Sequence, residues 1–289
     1  MTRLILNADD FGLAPGVNRS ILELGAAGAL TSATLMASSR HAPEAADAAG
    51  ALRLGVGCHV VLVDGEPALP PNQIPALAPS GKFRPILGAF VRDLLLGRIP
   101  ESEIEAEAVA QIRRAQSMGI RVTHLDTHKH THMFPRVLRP LLCAAMLCGV
   151  RAIRNPFEPD WALRATPHAP APRRAQVKLL RFQRRTFLKL VKEAGLATTD
   201  GAIGVLATGT LDADTLESLL AAMPPGTWEL VCHPGHVDDA LNQARTRLRE
   251  SRAVEHAALL KVVPAFLGAH PNVTPIHFGQ LAGDKSLCI

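Results

Sequence analysis

Four of the chain's twelve histidines fall within nine residues, His124-Leu125-Asp126-Thr127-His128-Lys129-His130-Thr131-His132. Neutral imidazole is the commonest protein ligand for transition metals, and alternate residues of an extended segment face one side. His128, His130 and His132 are therefore expected to point toward one ligand. Asp9 and Asp10 are adjacent carboxylates at the end of an apolar run, and their repulsion is relieved by a bound cation or a perturbed pKa. His59 is the only ionisable residue within Leu54–Val63, and His233 ends the run that starts at Trp228. Each has a blander reading: a titrating surface loop, an aspartate capping the helix that opens at Pro15, a hydrogen-bonded core histidine. Their number favours chemistry. One carboxylate and two imidazoles make a three-ligand metal site with positions left for water and substrate. A further carboxylate suits a general base and a further histidine a general acid, which together suffice to hydrolyse an amide or ester. The same ligand set could hold ferrous iron in an oxygenase, a chemistry that does not call for the extra acid and base.

The elements that must position these residues alternate. Apolar runs at Leu4–Asn7, Ala33–Ala37, Leu54–Val63, Ile120–Val122, Ala152–Arg154, Ala202–Val205, Trp228–Cys232 and Val273–Phe278 read as strands. Helical patterns fill Gly16–Ala27, His41–Ala49, Glu101–Met118, Arg136–Leu147, Ala213–Met223 and Gln243–Leu267. No internal repeat is present. Alternation of about seven strands with helices predicts a mostly parallel α/β fold, a barrel or a doubly wound sheet. In a barrel, the C-terminal strand ends form one rim, so Asp9, Asp10, His128 and His233 would converge there, with His59 in the later half of its strand. Asp10-Phe11-Gly12 matches a protein-kinase motif in letters alone, because no nucleotide lobe precedes it.

Composition sets further bounds. At 289 residues, with 47% hydrophobic and 20% charged residues, the chain can bury one large core. It is read as a single domain over residues 1–289, with a Pro-rich loop at 64–85 and a basic insertion at about 157–200. Arg173–Lys192 carries eight basic residues and no acid, with Val177, Leu180, Phe187, Leu188 and Val191 at helical spacing. Such a helix either lies on a membrane surface or packs on the domain with its charges in water. The net charge of +5 favours an anionic partner, and 4% aromatic residues with no tyrosine argue against nucleic acid. No signal peptide or spanning segment is read, so the expected location is cytoplasmic, at the inner membrane face if the basic helix docks there. The five cysteines form no CxxC pair and are expected to be reduced, with Cys58 and Cys232 as buried filler.

Four motifs carry a resemblance. Ala8-Asp9-Asp10-Phe11-Gly12, Gly57-Cys58-His59-Val60-Val61-Leu62, Asp126 through His132, and Glu229-Leu230-Val231-Cys232-His233-Pro234-Gly235 together resemble the YdjC-like carbohydrate deacetylases, over residues 4 to about 280. The resemblance implies an irregular α/β barrel of the TIM-like type that removes acetyl groups from N-acetylated amino sugars. It implies Asp10, His59 and His128 as ligands of one divalent ion, zinc or magnesium, with Asp9 as base and His233 as acid. Phe11, His130, His132 and Arg154 are expected to contact the substrate, and a homodimer is expected. Val63 through Pro71 looks most like the hopanoid-associated HpnK branch, which implies an N-acetylglucosaminyl hopanoid glycolipid. The alternatives are a chito-oligosaccharide deacetylase and a non-catalytic sugar- or metal-binding relative. Thr127 stands where many relatives carry serine, a conservative departure.

Overall fold

Residues 2–11 carry a single charge, Arg3, before Asp9, so the segment can be buried on both faces as the centre of a parallel sheet. It forms β1 (Thr2–Phe11), with only Arg3 exposed. The computed structural model describes residues 2–50, 52, 54–166 and 169–281; Cys288 and Pro167 lie outside the described residues. The chain continues as α1 (Pro15–Ala26), β2 (Ser32–Leu35), α2 (Ala42–Ala49) and β3 (Gly55–Val60). Then come α3 (Leu87–Leu95), α4 (Glu101–Ser117), β4 (Leu125–Thr127), α5 (Pro135–Leu147), α6 (Asp160–Arg164), α7 (Ala171–Leu180) and α8 (Arg184–Glu193). The last part holds β5 (Gly201–Ile203), α9 (Ala213–Ala221), β6 (Gly226–Cys232), α10 (Asp239–Gln243), α11 (Glu250–Ala269) and β7 (Val273–Pro275).

The strands pair in parallel in the order β4-β3-β2-β1-β6-β5, and β7 lies against the first residues of β1. Single-residue parallel bridges, Leu125 to Ile153 and Ala152 to Ala197, carry the sheet from β4 round toward the segment that becomes β5. The result is a barrel-like α/β fold whose strands all point to one rim. Local signals account for many helix ends. Pro15 and Pro135 open α1 and α5, where the missing amide costs nothing. Asp212 caps α9 by accepting from the Thr215 amide at 2.9 Å. Gly119, at φ +83, and Gly149, at φ +73, close α4 and α5 in the left-handed region that side chains resist.

Four expectations are corrected. Ile120–Val122 is not a strand; it delivers the chain to β4, three residues later. Ala152–Arg154 makes single bridges rather than a ladder. The helix read from Gln243 begins only at Glu250, as α11; Gln243 ends the short α10, and residues 244–249 are not helical. The basic segment is also two helices, α7 and α8, joined by a tight turn at Arg181–Gln183. In α8, Phe187 and Val191 are buried, so its apolar stripe packs inward as a domain helix does. The Pro-rich loop is tied down: Glu107 accepts from the Ala68 and Leu69 amides and Glu103 from that of Leu77. Cys58 and Cys232 are buried, and burial pushes both thiols up.

Candidate active site

The paired aspartates depend on an irregularity in β1. Ala8 pairs with Ala33 and Phe11 with Leu35, so Asp9 and Asp10 together oppose Thr34. A regular strand would send adjacent side chains to opposite faces. This bulge, with Asp10 at φ +66, brings both carboxylates to the rim. A left-handed aspartate inside a buried strand is strain of the kind that collects at functional sites.

Asp10 Oδ1, His59 Nε2 and His128 Nδ1 form a triangle with sides of 3.6, 3.5 and 3.4 Å. Ligands held 2.0–2.2 Å from a tetrahedral ion lie roughly 3.4 Å apart, so the triangle has the size of one coordination face. Asp10 Oδ1 is buried and accepts no hydrogen bond from the described residues. Its other oxygen accepts from Arg252 Nη2 at 2.6 Å, which leaves Oδ1 as the ligand atom. His59 Nδ1 lies 2.8 Å from Asp126 Oδ1, its cross-strand neighbour in β4. A histidine that donates through Nδ1 to a carboxylate presents a lone pair at Nε2. Burial opposes charge on His59, but Asp126, Asp9 and Asp10 outweigh it and lift its pKa to about 9 without an ion. The residues present fit a divalent cation.

Asp9 faces the same space from a different environment. Its oxygens accept from Arg154 at 2.7 and 2.9 Å, and Oδ2 lies 3.7 Å from His233 Nε2. Burial opposes the carboxylate, but Arg154, His59 and His233 hold its pKa well below the usual range. Burial pushes His233 down to about 4, so its ring is neutral near pH 7. The His233 amide donates to Glu255 Oε2 at 2.6 Å, which fixes the turn after β6. A cavity of about 800 Å³ opens above these groups. Its floor carries Asp9, Asp10, His59, His128 and His233. Its lining also includes the apolar Ile86, Leu87, Val177 and Leu180 and the basic Arg245, Arg247 and Arg249.

The four residues expected to touch substrate separate. His130 lines the cavity. His132 does not: after Thr127 the chain winds into a tight turn with Lys129 and His130 at φ +57 and +53, so strand alternation fails. His132 is buried, with Nδ1 2.7 Å from Thr127 Oγ1 and its ring against Phe187. Phe11 is fully buried in the core. Arg154 is also fully buried, beneath the site, where it pairs with Asp9, Asp126 and Glu229. Its five donors are spent on carboxylates, out of reach of a ligand. His124 turns the other way and stacks on Phe278. Asp126, Glu229, Arg252 and Glu255 have no role assigned from sequence alone. Asp126 lies inside the histidine motif and could have been found there; Arg252 and Glu255 sit in an ordinary helical pattern that carries no such signal.

The model of the family described as YdjC-like protein matches residues 3–265. The chain belongs to the YdjC-like family. Among relatives of this YdjC-like protein, a carbohydrate deacetylase of Thermoanaerobacter pseudethanolicus is 29% identical, over 83% of this chain and 84% of its own. A mouse carbohydrate deacetylase is 32% identical over 81% and 78%. A chitooligosaccharide deacetylase of Salmonella heidelberg is 30% identical over 93% and 96%. The fold matches a solved Enterococcus faecalis structure, provisionally assigned to cellobiose-phosphate cleavage, with a TM-score of 0.74 at 22% identity, covering 96% of this chain and 97% of that one.

Proposed function

We propose that this YdjC-like protein is a metal-dependent N-deacetylase of acetamido sugars. The observation that carries the reading is the ligand-sized triangle of Asp10, His59 and His128 at the floor of a cavity that also presents Asp9 and His233. Its membership of a family whose relatives include carbohydrate and chitooligosaccharide deacetylases supports the same reaction class. Asp10, His59 and His128 would hold a divalent ion, which would supply Lewis-acid polarisation of the amide carbonyl and of the attacking water. Two nitrogens and one oxygen suit zinc better than magnesium, which prefers an all-oxygen shell. Asp9 stays ionised beside Arg154 and takes the proton of the water as it attacks the acetyl carbon. His233, neutral at the start and 3.7 Å from Asp9, receives that proton and delivers it to the departing sugar nitrogen. The free amine leaves with acetic acid, which passes its remaining proton to bulk water as acetate forms, and both side chains return to their first states. His130, at the cavity wall, is placed to contact the sugar.

The substrate reading is an N-acetylglucosaminyl glycolipid of the hopanoid type. The apolar lining of Ile86, Leu87, Val177 and Leu180 supports it, as do Leu179 and Phe182, exposed on and just beyond α7 among basic residues. No helix among the described residues is long and apolar enough to cross a membrane, so such a lipid would be met at the surface. The relatives named chitooligosaccharide deacetylase favour a second reading, a soluble chito-oligosaccharide.

Acetate release from N-acetylglucosamine conjugates by the zinc-loaded protein tests the reaction. Asp10→Ala should lose metal and turnover together. Asp9→Asn should keep the metal while kcat falls by roughly 10²–10⁴-fold, the range for a general base. A fully active Asp9→Asn would remove the base assignment, and no acetate from any N-acetylated sugar would remove the activity.

A further inference from the structure

Away from the catalytic rim, a second group of metal-ligating side chains meets at the molecular surface. Glu23 of α1, His236 of the turn after β6 and His256 of α11 bring a carboxylate oxygen and two imidazole nitrogens within 4.8 Å of one another. We infer that Glu23, His236 and His256 form a second divalent-metal site, with zinc the ion their donors fit, which ties α1, the turn after β6 and α11 together.

Three observations carry the assignment. The donor set, two imidazoles and one carboxylate with solvent completing the shell, is a common zinc arrangement. The ligands are also held from behind. His256 Nδ1 lies 2.8 Å from the hydroxyl of fully buried Ser20, and in the tautomer that donates to Ser20 the Nε2 lone pair faces Glu23 at 3.8 Å. His236 is fixed by its backbone: its amide donates to the Gly16 carbonyl at 3.1 Å, and Gly16 packs so closely on the His236 carbonyl that a Cβ would lie 2.2 Å from it. Finally, the two rings sit 4.6 Å apart and tilted, with a nitrogen of each facing the same Glu23 carboxylate oxygen.

Glu23 is the adjustable member. Its Oε2 now bonds His236 Nε2 at 2.6 Å and must open to the roughly 3.4 Å that separates two ligands of a tetrahedral ion. The side chain is about half exposed and free to make that swing. An ion there would clasp α11 at His256, one turn after Arg252. The same stretch of helix carries Arg252, bonded to Asp10, and Glu255, bonded to the His233 amide. The surface ion would therefore stabilise the helix that supports the rim without touching substrate.

Zinc titration of the full chain, read by native mass spectrometry and by competition with a chromogenic chelator, tests this. His236→Ala and His256→Ala should each bind one ion fewer than the parent, or bind it at least roughly tenfold more weakly. Both positions are half-buried, so circular dichroism in chelator checks that each variant keeps its fold. Zinc should also raise the melting temperature of the Asp10→Ala protein, and that rise should vanish when His256→Ala is added. His236→Ala and His256→Ala proteins that bind as many ions as the parent with unchanged affinity would overturn the site. Failure of the buried triad to bind zinc would leave one ion on the parent and none on these variants, so the two outcomes are distinct.

Discussion

Arg252 Nη2 donates to Asp10 Oδ2 at 2.6 Å across 242 residues of chain. Both side chains are buried, and the guanidinium also bonds the Leu248 carbonyl. The contact fixes which oxygen of Asp10 remains available and so orients the proposed ligand from outside the coordination shell. Replacing Arg252 with Met should lower metal affinity roughly 10–100-fold, the usual effect of losing such a partner. Activity should return with excess metal. Unchanged affinity in a folded Arg252→Met protein, measured by chelator competition, would dissociate Arg252 from the site.

Arg154 neutralises a cluster of carboxylates rather than binding sugar. Asp9, Asp126 and Glu229 all pair with it. Burial, partly offset by Arg154, pushes Glu229 up to about 7, a sign of how much negative charge is packed there. Arg154→Met should cost roughly 3–5 kcal/mol in urea unfolding, because it leaves buried charges without a partner. Arg154→Lys keeps the charge but cannot fork to three carboxylates, so it should lower stability and kcat with KM unchanged. A raised KM at unaltered stability would instead restore a substrate contact.

Glu158 provides a pH-dependent stability term remote from the metal triad. It is buried and accepts from the Gly204 and Leu206 amides, and burial lifts its pKa from 4.5 to about 7. Below pH 4.5 the carboxyl is protonated whether the chain is folded or unfolded. Between 4.5 and 7 the unfolded chain loses the proton first, so the folded state binds more protons and stability falls as pH rises. The fall is at most about 3 kcal/mol, at 1.36 kcal/mol per pKa unit. The stability difference between the parent and Glu158→Gln should therefore change across pH 4.5–7 and be flat above it. A constant difference over the whole range would contradict this account.

The apolar edge of the cavity separates the two substrate readings. Leu179 and Phe182 are 69% and 68% exposed beside Lys178, Arg181 and Arg184. The double substitution Leu179→Ser with Phe182→Ser should weaken binding to anionic vesicles and reduce turnover of a vesicle-borne glycolipid. Hydrolysis of a soluble chito-oligosaccharide should be unaffected. Equal losses on both substrates would argue that α7 shapes the cavity rather than contacting lipid.

The residues of the proposed site were legible as candidates because their types are rare where they stand. A histidine amid Leu54–Val63 and two aspartates ending an apolar strand conflict with burial unless something compensates. The start of α1 at Pro15 was legible too, being a local backbone effect. His132 was misplaced for an equally local reason. Alternation assumes an extended backbone, and two left-handed residues after His128 end that assumption. Phe11 was read as a substrate contact, yet it lies just past the bulge and points into the core.

What the sequence determined by itself is the stock of donors and the order of strands and helices, since both follow from residue type and period along the chain. The tertiary structure decided the rest: that a bulge turns Asp9 and Asp10 to the same rim, that Arg154 and Arg252 divide the buried carboxylates between them, and that His59 is held by Asp126 in the next strand. Periodicity reports on neighbours within a turn or a pleat. Charge pairing between residues 145 or 242 positions apart is chosen only when packing brings the elements together and excludes the water that would otherwise solvate each group.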